Sequence, residues 1–367
     1  MFRDEMSSKE RMEAVLEKKE RDHMPFWPKI TPSYIRFQKP EWRSTPPEEI
    51  HRFIGSDYLS YTGIELTEIL PGNIRAETEE TGKERVVTYF VGVKKLESRH
   101  VLTEEAGDSH PVEYPVKDLD DILAMTEYYS KIRYGVSKEA LQRHEGQLKA
   151  NADRLFMFSM PASPIMELAQ YTMGLENFAY MMADYPDETD DLIDAINGAN
   201  IRMHRTVCEV SPAKYFLSVE NTSSTLIGPD LFNKYCKVHL TQYNQVMAEY
   251  GKKQILHMCG KLKALLPGIA QIPAIAMEAF SSPTTGDTTI QDGYDMLPGK
   301  SLIGGSAATT WILPTPEEIA GRILTDIEEA GTTAGLFLSS GGVMPFSATP
   351  EIIANVWNII KKSLYGK

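Results

Sequence analysis

The sequence predicts a (β/α)8 barrel, a ring of eight parallel strands surrounded by helices, with an inserted N-terminal β-rich lobe. From Asp153 onward, short apolar runs alternate with helical stretches, which is typical of a parallel sheet covered by helices. Roughly six such units follow, and another strand-like run covers residues 24–30, so a barrel is favoured over an open doubly wound sheet. Chemically capable residues also fall near the ends of successive predicted strands, where barrel enzymes carry their active sites.

The individual elements follow from apolar periodicity and from the residues that end each run. Strands are expected over residues 155–160, 215–220, 254–259, 274–280, 301–306 and 335–340. Helices are expected over residues 230–250, 262–269, 290–296, 316–330 and 350–364. The first of these helices opens on Gly228-Pro229-Asp230 and ends at Gly251, because proline is tolerated in a first turn and glycine favours a helix end.

Residues 58–116 differ from this pattern and are predicted to form a lobe or lid inserted after the first barrel strand. Short antiparallel strands are expected over residues 85–89, 91–95 and 99–103, with a turn at Thr81-Gly82-Lys83. The segment is rich in tyrosine and charge, so we expect it to cover the barrel mouth. Residues 1–367 are interpreted as one TIM-barrel domain that contains this insertion.

Composition excludes several classes of function. The 367 residues carry a net charge of −13 without a cluster of Lys and Arg, which argues against nucleic acid binding. No apolar run is long enough to cross a membrane, and the charged N-terminus lacks a secretory signal pattern. Cys208, Cys236 and Cys259 form no disulfide framework, so a cytoplasmic location is expected.

The tripeptide His257-Met258-Cys259 ends one of the predicted strands and is the strongest chemical signal in the chain. Alternate side chains of a strand lie on one face, so the imidazole and the thiol are expected to point the same way. Glu278, in the next strand, could supply a third ligand, and a His/Cys/Glu set with an open position suits catalytic zinc. The structural alternative is a hydrogen-bonded strand-end histidine beside an ordinary buried thiol.

Two further acidic residues are candidates for catalysis. Glu220 ends the predicted strand before the His257 strand, and it is interpreted as a fourth zinc ligand or as a general acid. A purely structural carboxylate beside Asn221 is an equal alternative. Asp287 lies in the loop after Glu278 and is expected to orient a ligand, although a turn aspartate explains it as well.

Two glycine-containing strand ends are candidates for cofactor binding. Gly304 and Gly305 would let a substrate or cofactor approach the backbone, and Ser340 and Gly341 would hold a phosphate at a helix N-terminus. Glycine at such positions also follows from a tight strand–helix turn or from closing a barrel.

Several segments resemble the uroporphyrinogen decarboxylase superfamily. The opening Lys9-Glu10-Arg11 and residues 21–26 are similar to its N-terminal pattern. Residues 218–232, 257–260, 278–280 and 341–352 resemble the superfamily as well. The resemblance covers nearly the whole chain and implies a TIM barrel.

The resemblance implies one of two main activities. The decarboxylases carry an Arg-Gln-Ala-Gly-Arg signature after the first strand, whereas this chain has residues 29–34 (KITPSY) there and lacks those arginines. The corrinoid-dependent methyltransferases carry an HxC zinc motif, which His257 and Cys259 match. Glu278 is similar in placement to a zinc-site glutamate of the cobalamin-independent methionine synthases. A zinc methyltransferase is therefore favoured, and a decarboxylase is the alternative.

One position departs from the methyltransferase pattern. Thiol-methylating relatives have a distal zinc-binding cysteine where alignment on Pro345 and Thr349-Pro350 places Gly342. Losing a thiolate leaves a stronger Lewis acid, which favours an ether oxygen as the zinc-bound group. The expected reaction therefore moves a methyl group between a small methylated substrate, such as an aryl methyl ether, and the corrinoid of a partner protein. Methyl transfer onto a thiol and a non-catalytic binding protein are the alternatives, and a homodimer is compatible with the sequence.

Overall fold

A ring of eight parallel strands forms the centre of the computed structural model, which describes residues 4–103 and 108–366. The described strands are β1 (Phe26–Trp27), β2 (Leu59–Thr62), β3 (Thr67–Ile69), β4 (Ile74–Thr81), β5 (Glu84–Val91), β6 (Lys94–Thr103), β7 (Asp108–Glu113), β8 (Arg133–Gly135), β9 (Leu155–Met160), β10 (Tyr215–Val219), β11 (Lys253–His257), β12 (Ala276–Phe280), β13 (Ser301–Gly305) and β14 (Leu336–Ser339). The main sheet has the order β1-β14-β13-β12-β11-β10-β9-β2, and its neighbouring strands are parallel. The predicted TIM barrel is confirmed.

Helices follow most of the barrel strands and surround the ring. The described α-helices are α1 (Ser8–Leu16), α2 (Pro32–Arg36), α3 (Pro40–Arg43), α4 (Pro47–Ile54), α5 (Leu119–Lys131), α6 (Lys138–Ala150), α7 (Pro164–Glu167), α8 (Leu175–Asp184), α9 (Pro186–Val210), α10 (Pro229–Leu231), α11 (Lys237–Glu249), α12 (Leu266–Ala270), α13 (Ile290–Met296), α14 (Pro316–Ala330) and α15 (Pro350–Tyr365). A π-helical turn, Phe232–Cys236, joins α10 to α11 and completes the helix expected over residues 230–250. None of the described helices combines the length and the hydropathy needed to cross a bilayer.

Alternate side chains of the strands separate two apolar layers. The layer inside the barrel contains Trp27, Leu59, Leu155, Met157, Tyr215, Leu217, Ile255, Ala276, Ile303 and Phe337. Helix α1 contributes Met12, Val15 and Leu16 to this layer, and these side chains are almost fully buried. The opposite faces of the strands pack against the surrounding helices and form a larger apolar layer. The lower barrel interior is thus filled by apolar side chains, and polar chemistry is confined to the carboxyl ends of the strands.

The β-rich insertion lies after the second barrel strand, so its predicted position after the first strand is wrong. Strand β2 belongs to the barrel, although its four residues are too few and too polar for a clear pattern. Strands β4 to β7 form the insertion's antiparallel sheet, and β3 pairs with β8. The strand expected over residues 91–95 is a turn at Gly92, which has a φ of 58°. Residues 104–107 of the predicted lobe lie outside the described residues.

The barrel is not closed by strand pairing between β1 and β2. These strands occupy the two ends of the sheet order, and no ladder joins them in the described part of the chain. They are linked where they begin, since Asp57 donates its backbone N–H to Phe26 O at 2.7 Å and accepts the Phe26 N–H at 2.9 Å. Pro28 has no N–H, so it cannot donate a ladder hydrogen bond after Trp27.

Candidate active site

A charged cluster lies at the carboxyl ends of the barrel strands and contains Lys29, His257 and Glu278. Strands β11 and β12 place His257 and Glu278 opposite each other in register. Glu278 is completely buried and forms an ion pair with the Lys29 ammonium through Oε1, while its Oε2 contacts His257 Nδ1. One carboxylate therefore joins a cation that follows β1 to an imidazole at the end of β11.

Electrostatics favours the ionised form of each member of the His257–Glu278 pair. Burial raises the pKa of Glu278, but the Lys29 charge and the His257 imidazole outweigh burial and hold that pKa at about 2. Burial lowers the pKa of His257, but the Glu278 charge and hydrogen bonds with Cys259 and Glu278 raise it to about 9. At neutral pH, in the absence of a metal, the imidazole is therefore a cation paired with a carboxylate.

The Cys259 thiol lies beside this cluster and is activated by it. A hydrogen bond with His257 lowers the pKa of Cys259, against the opposing effect of burial. Cys259 Sγ also lies 3.4 Å from Asn221 Oδ1, and Asn221 adopts a left-handed φ of 51°. The thiol is partly exposed, so it combines thiolate character with access to solvent.

This environment predicts selective alkylation of Cys259 in metal-free protein near neutral pH. Burial raises the pKa of Cys208 to about 11 and also raises the pKa of Cys236 well above its ordinary value, so neither thiol should react at a comparable rate. Iodoacetamide followed by peptide mass spectrometry would measure the three rates. His257→Gln should slow alkylation of Cys259 roughly tenfold, because the pKa of the thiol would return toward its ordinary value. Equal rates in the wild type and His257→Gln would contradict this activation.

The donor atoms fit zinc in chemistry but are not gathered around one point. Sulfur, imidazole nitrogen and carboxylate oxygen are ordinary zinc ligands. The pair His257 and Cys259 interacts directly, whereas Glu278 is held by Lys29 and His257. Across the described ranges, the ligand atoms of the predicted trio do not all lie within 4.8 Å of one another. A metal held by all three residues would require Glu278 to change partners.

Another group of potential ligands is neutralised by arginine. Asp4, Asp22 and His23 have ligand atoms within 4.8 Å of one another. Arg11 binds Asp22 Oδ1 at 2.7 Å and Asp4 Oδ1 at 3.1 Å, so its guanidinium already supplies the cation that these carboxylates need. We therefore assign this group to an ion-pair network that involves helix α1.

Glu220 has a structural environment. Its carboxylate is completely buried and accepts hydrogen bonds from Ser163 N and Ser163 Oγ, both at 2.6 Å, and from Thr222 Oγ1 at 3.0 Å. These bonds tie the end of β10 to the residue that precedes α7. The contacts favour the structural alternative, and a role for Glu220 as a zinc ligand or general acid stays a prediction.

Asp287 holds the loop that follows Cys259. Its Oδ1 accepts hydrogen bonds from Leu262 N at 2.6 Å and from Lys263 N at 3.0 Å. The carboxylate thus orients the backbone next to the candidate ligand rather than the ligand itself. These contacts are those of the turn-aspartate alternative, and a role for Asp287 in orienting a ligand stays a prediction.

Close packing accounts for two of the candidate glycines. Gly304 has a φ of 151°, and a Cβ there would lie 2.1 Å from Phe280 O. Gly341 has a φ of 69°, and a Cβ there would lie 2.2 Å from Ser306 O. Both positions therefore exclude any side chain, which agrees with the alternative of barrel closure.

The other two candidate cofactor residues also have partners within the protein. Gly305 has a φ of 83°, and a Cβ there would lie 3.2 Å from the Leu336 side chain. Ser340 is buried, donates its hydroxyl to Gly342 O at 2.5 Å and accepts the Lys29 N–H at 3.3 Å. Cofactor binding by Gly304, Gly305, Ser340 and Gly341 stays a prediction.

Lys29 is the site residue that we did not select from the sequence. It follows Pro28 at the end of a short apolar strand, and its side chain is only 8 % exposed. The sequence does place a lysine two residues after a buried barrel strand. Such a lysine is a candidate site residue, because a buried ammonium needs a carboxylate partner. Its partner Glu278 is distant in sequence, so the pair becomes visible only in the folded chain.

A cavity of about 700 Å³ borders the cluster. Lys29 and His257 line it together with Trp27, Tyr61, Val219 and Val343. The rings of Trp27 and Tyr61 meet edge to face, with centroids 5.9 Å apart. Aromatic and aliphatic walls around a few charged groups are typical of a site for a small organic molecule.

Comparison with known proteins supports the family and the fold. The chain is 25 % identical over 214 residues to a methylated-thiol–coenzyme M methyltransferase of Methanosarcina mazei, covering 55 % of this chain. The match spans about half of that relative, 52 % of its length. This chain also superposes on a solved methyltransferase structure from Methanosarcina mazei, with a TM-score of 0.61 and 16 % identity. The superposition includes 98 % of this chain and 99 % of the other. At this identity the structural likeness is evidence for the fold.

The family assignment rests on a long continuous match. Residues 103–363, which include His257, Cys259 and Glu278, match the family described as uroporphyrinogen decarboxylase (URO-D). The sequence resemblance, the barrel and this match agree with one another. The chain therefore belongs to the uroporphyrinogen decarboxylase (URO-D) family.

Proposed function

We propose that this protein is a zinc-dependent methyltransferase that moves a methyl group between a small methylated substrate and the corrinoid of a partner protein. The observation that carries the proposal is the interacting His257–Cys259 pair beside a cavity at the carboxyl end of the barrel. The name of the Methanosarcina relative, a methylated-thiol–coenzyme M methyltransferase, supports the same class of reaction. A cytoplasmic location belongs to this proposal as well.

His257 and Cys259 would hold the zinc, and Glu278 would join them on leaving Lys29. When bound, zinc supplies a Lewis acid that stabilises negative charge on the atom losing its methyl group. Lys29 keeps a counter-charge beside Glu278 in the absence of metal, so the site folds without an unpaired buried carboxylate. Asp287 fixes the loop after Cys259 and thereby limits where the thiol can move.

The cavity walls favour an aryl methyl ether as the methyl donor. Trp27 and Tyr61 offer ring surfaces, and Val219 and Val343 offer aliphatic contacts to a small aromatic molecule. A methylated thiol is the second candidate, because the relative's name includes that substrate. Gly342 supplies no thiolate, which weighs against the second candidate.

Zinc content is the first expected result that follows from this proposal. The purified wild type should bind about one zinc per chain, and His257→Ala and Cys259→Ala should each lose it. Cys208→Ala is the matched control, since Cys208 is a buried thiol on α9 away from the strand ends. Inductively coupled plasma mass spectrometry on folded protein measures the stoichiometry. A folded wild type that takes up no zinc would overturn the proposed mechanism.

The donor class can then be determined with free cob(I)alamin as methyl acceptor. Zinc-loaded protein is mixed with methoxybenzenes or with dimethyl sulfide, and methylcobalamin formation is followed by its absorbance. Turnover of ethers would support the first candidate, and turnover of the thioether alone would support the second. Absence of transfer from both classes would count against methyl transfer and would favour the decarboxylase alternative.

A further inference from the structure

The gap between β1 and β2 coincides with the cavity that borders the candidate active site. On the inner side, Lys29, Ser159 and His257 line this cavity at the carboxyl ends of their strands. On the outer side, Tyr58 and Gln147 line the same cavity. Its lining therefore reaches from the barrel interior to the surface beside α6, past the edge at which β1 and β2 are not paired with each other in the described part of the chain.

The residues beside the gap between β1 and β2 leave room for a small molecule. Ser60 of β2 lines the cavity and carries a small side chain that is half-buried. Beyond the Asp57–Phe26 hydrogen bonds, Trp27 and Tyr61 meet at this edge through their rings, and no strand ladder joins β1 to β2 among the described residues. Edge-to-face contact of two rings is weak compared with a hydrogen-bonded ladder, so this edge is less constrained than the paired strands.

The apolar character of the passage matches a neutral organic substrate. The rings of Trp27 and Tyr61 and the side chain of Leu217 line the passage. Arg154 is held near the outer end by Glu48 at 3.5 Å and by the ring of Tyr58, whose centroid is 4.7 Å away. The Arg154 guanidinium is therefore already paired within the protein, so it does not require an anionic substrate as a partner.

We propose that the gap between β1 and β2 is a lateral entrance for the small methylated substrate. This inference rests on the proposed function, in which a corrinoid must approach the site from the barrel mouth. A corrinoid over the mouth covers the direct route to His257, and a side passage lets substrate enter and product leave while the corrinoid stays bound.

The passage is tested first without catalysis. Ser159→Cys in a Cys259→Ala background places one reactive thiol on the inner cavity wall, because Cys208 and Cys236 are buried. Neutral methyl methanethiosulfonate labels this thiol, and Val343→Trp is added to narrow the route on the mouth side. In that background, Ser60→Trp should slow labelling about tenfold, whereas Ser60→Ala should not. Equal labelling rates for the two substitutions would overturn the lateral entrance.

Gln147→Trp is the second variant for the same measurement. Gln147 is exposed on α6 and lines the outer end of the cavity, so its replacement narrows the passage without disturbing the barrel. Gln147→Trp should slow the labelling reaction, as Ser60→Trp does. Thermal unfolding would verify that each variant is folded.

Methyl transfer then tests the link to the corrinoid. With wild-type protein, the rate should rise with free cob(I)alamin and reach a plateau. With Ser60→Trp it should pass through a maximum and fall, because cob(I)alamin that binds first closes the remaining route. A plateau in both proteins would overturn the proposed use of the entrance. Slowed labelling in a protein that transfers no methyl group would refute the proposed function and still support the passage.

Discussion

Replacing Lys29 with methionine is expected to destabilise the metal-free protein by about 3–5 kcal/mol, the range found when one partner of a buried ion pair is removed. Methionine keeps most of the apolar length of the side chain, so the loss comes mainly from the charge. Glu278 is completely buried, and among the described residues its carboxylate would keep His257 as its one charged partner once Lys29 is replaced. Urea denaturation with a chelator present would measure the free energy of unfolding.

A double variant separates the ion pair from side-chain packing. Lys29→Met with Glu278→Gln removes both charges, so it should be more stable than Lys29→Met alone. If the double variant were less stable than Lys29→Met, the unpaired charge on Glu278 would not be the cause of the destabilisation.

The same cluster has a pH signature in the absence of metal. The folded protein raises the pKa of His257 to about 9, above the ordinary value near 6.5, so the imidazolium stabilises the fold at low pH. This contribution is complete below about pH 6.5 and disappears as the pH rises through about 9. The stability difference between the wild type and His257→Gln should therefore shrink over this interval.

Gly341→Ala is expected to have the second large effect, a loss of at least about 3 kcal/mol or failure to fold. Its left-handed φ of 69° disfavours an L side chain, and the added methyl would lie 2.2 Å from Ser306 O and 2.6 Å from Ser281 Oγ. The backbone carbonyl cannot move away without disturbing the end of β13. Thermal unfolding monitored by circular dichroism would measure the change.

Gly342→Ala is the matched control for this experiment. A Cβ at Gly342 would lie 3.9 Å from Ala308 Cβ, which is an ordinary van der Waals contact. This substitution should therefore change the stability by less than about 1 kcal/mol. Similar losses for the two adjacent substitutions would contradict the packing explanation of Gly341.

Local signals account for the parts of the fold that the sequence predicted well. Strand β9 and helices α13 and α14 occupy the predicted residues, 155–160, 290–296 and 316–330. For α14, Thr315 caps the first turn by accepting the Glu318 N–H, and Gly331 ends the helix with a φ of 69°. Such signals act over a few residues, so they can be recognised without knowledge of the rest of the chain.

The candidate site was predictable only where it depends on residues close in the chain or on neighbouring strands. His257 ends β11 and Cys259 lies two residues beyond it, so their closeness follows from their nearness in the chain, although the strand expected over residues 254–259 stops at His257. Glu278 was expected beside them because neighbouring parallel strands bring their carboxyl ends together. The pattern could not show that Glu278 also meets Lys29, nor that Glu220 is fully engaged by Ser163 and Thr222.

The sequence by itself determined the barrel class and the closeness of the His257 imidazole to the Cys259 thiol, because these depend on periodicity or on residues near each other in the chain, and the resemblance of several segments to known proteins indicated the family. The tertiary structure decided that Lys29 neutralises Glu278, that β2 belongs to the barrel, and that β1 and β2 leave an unpaired edge. These features depend on contacts between segments far apart in the chain, and such contacts exist only after the ring has formed.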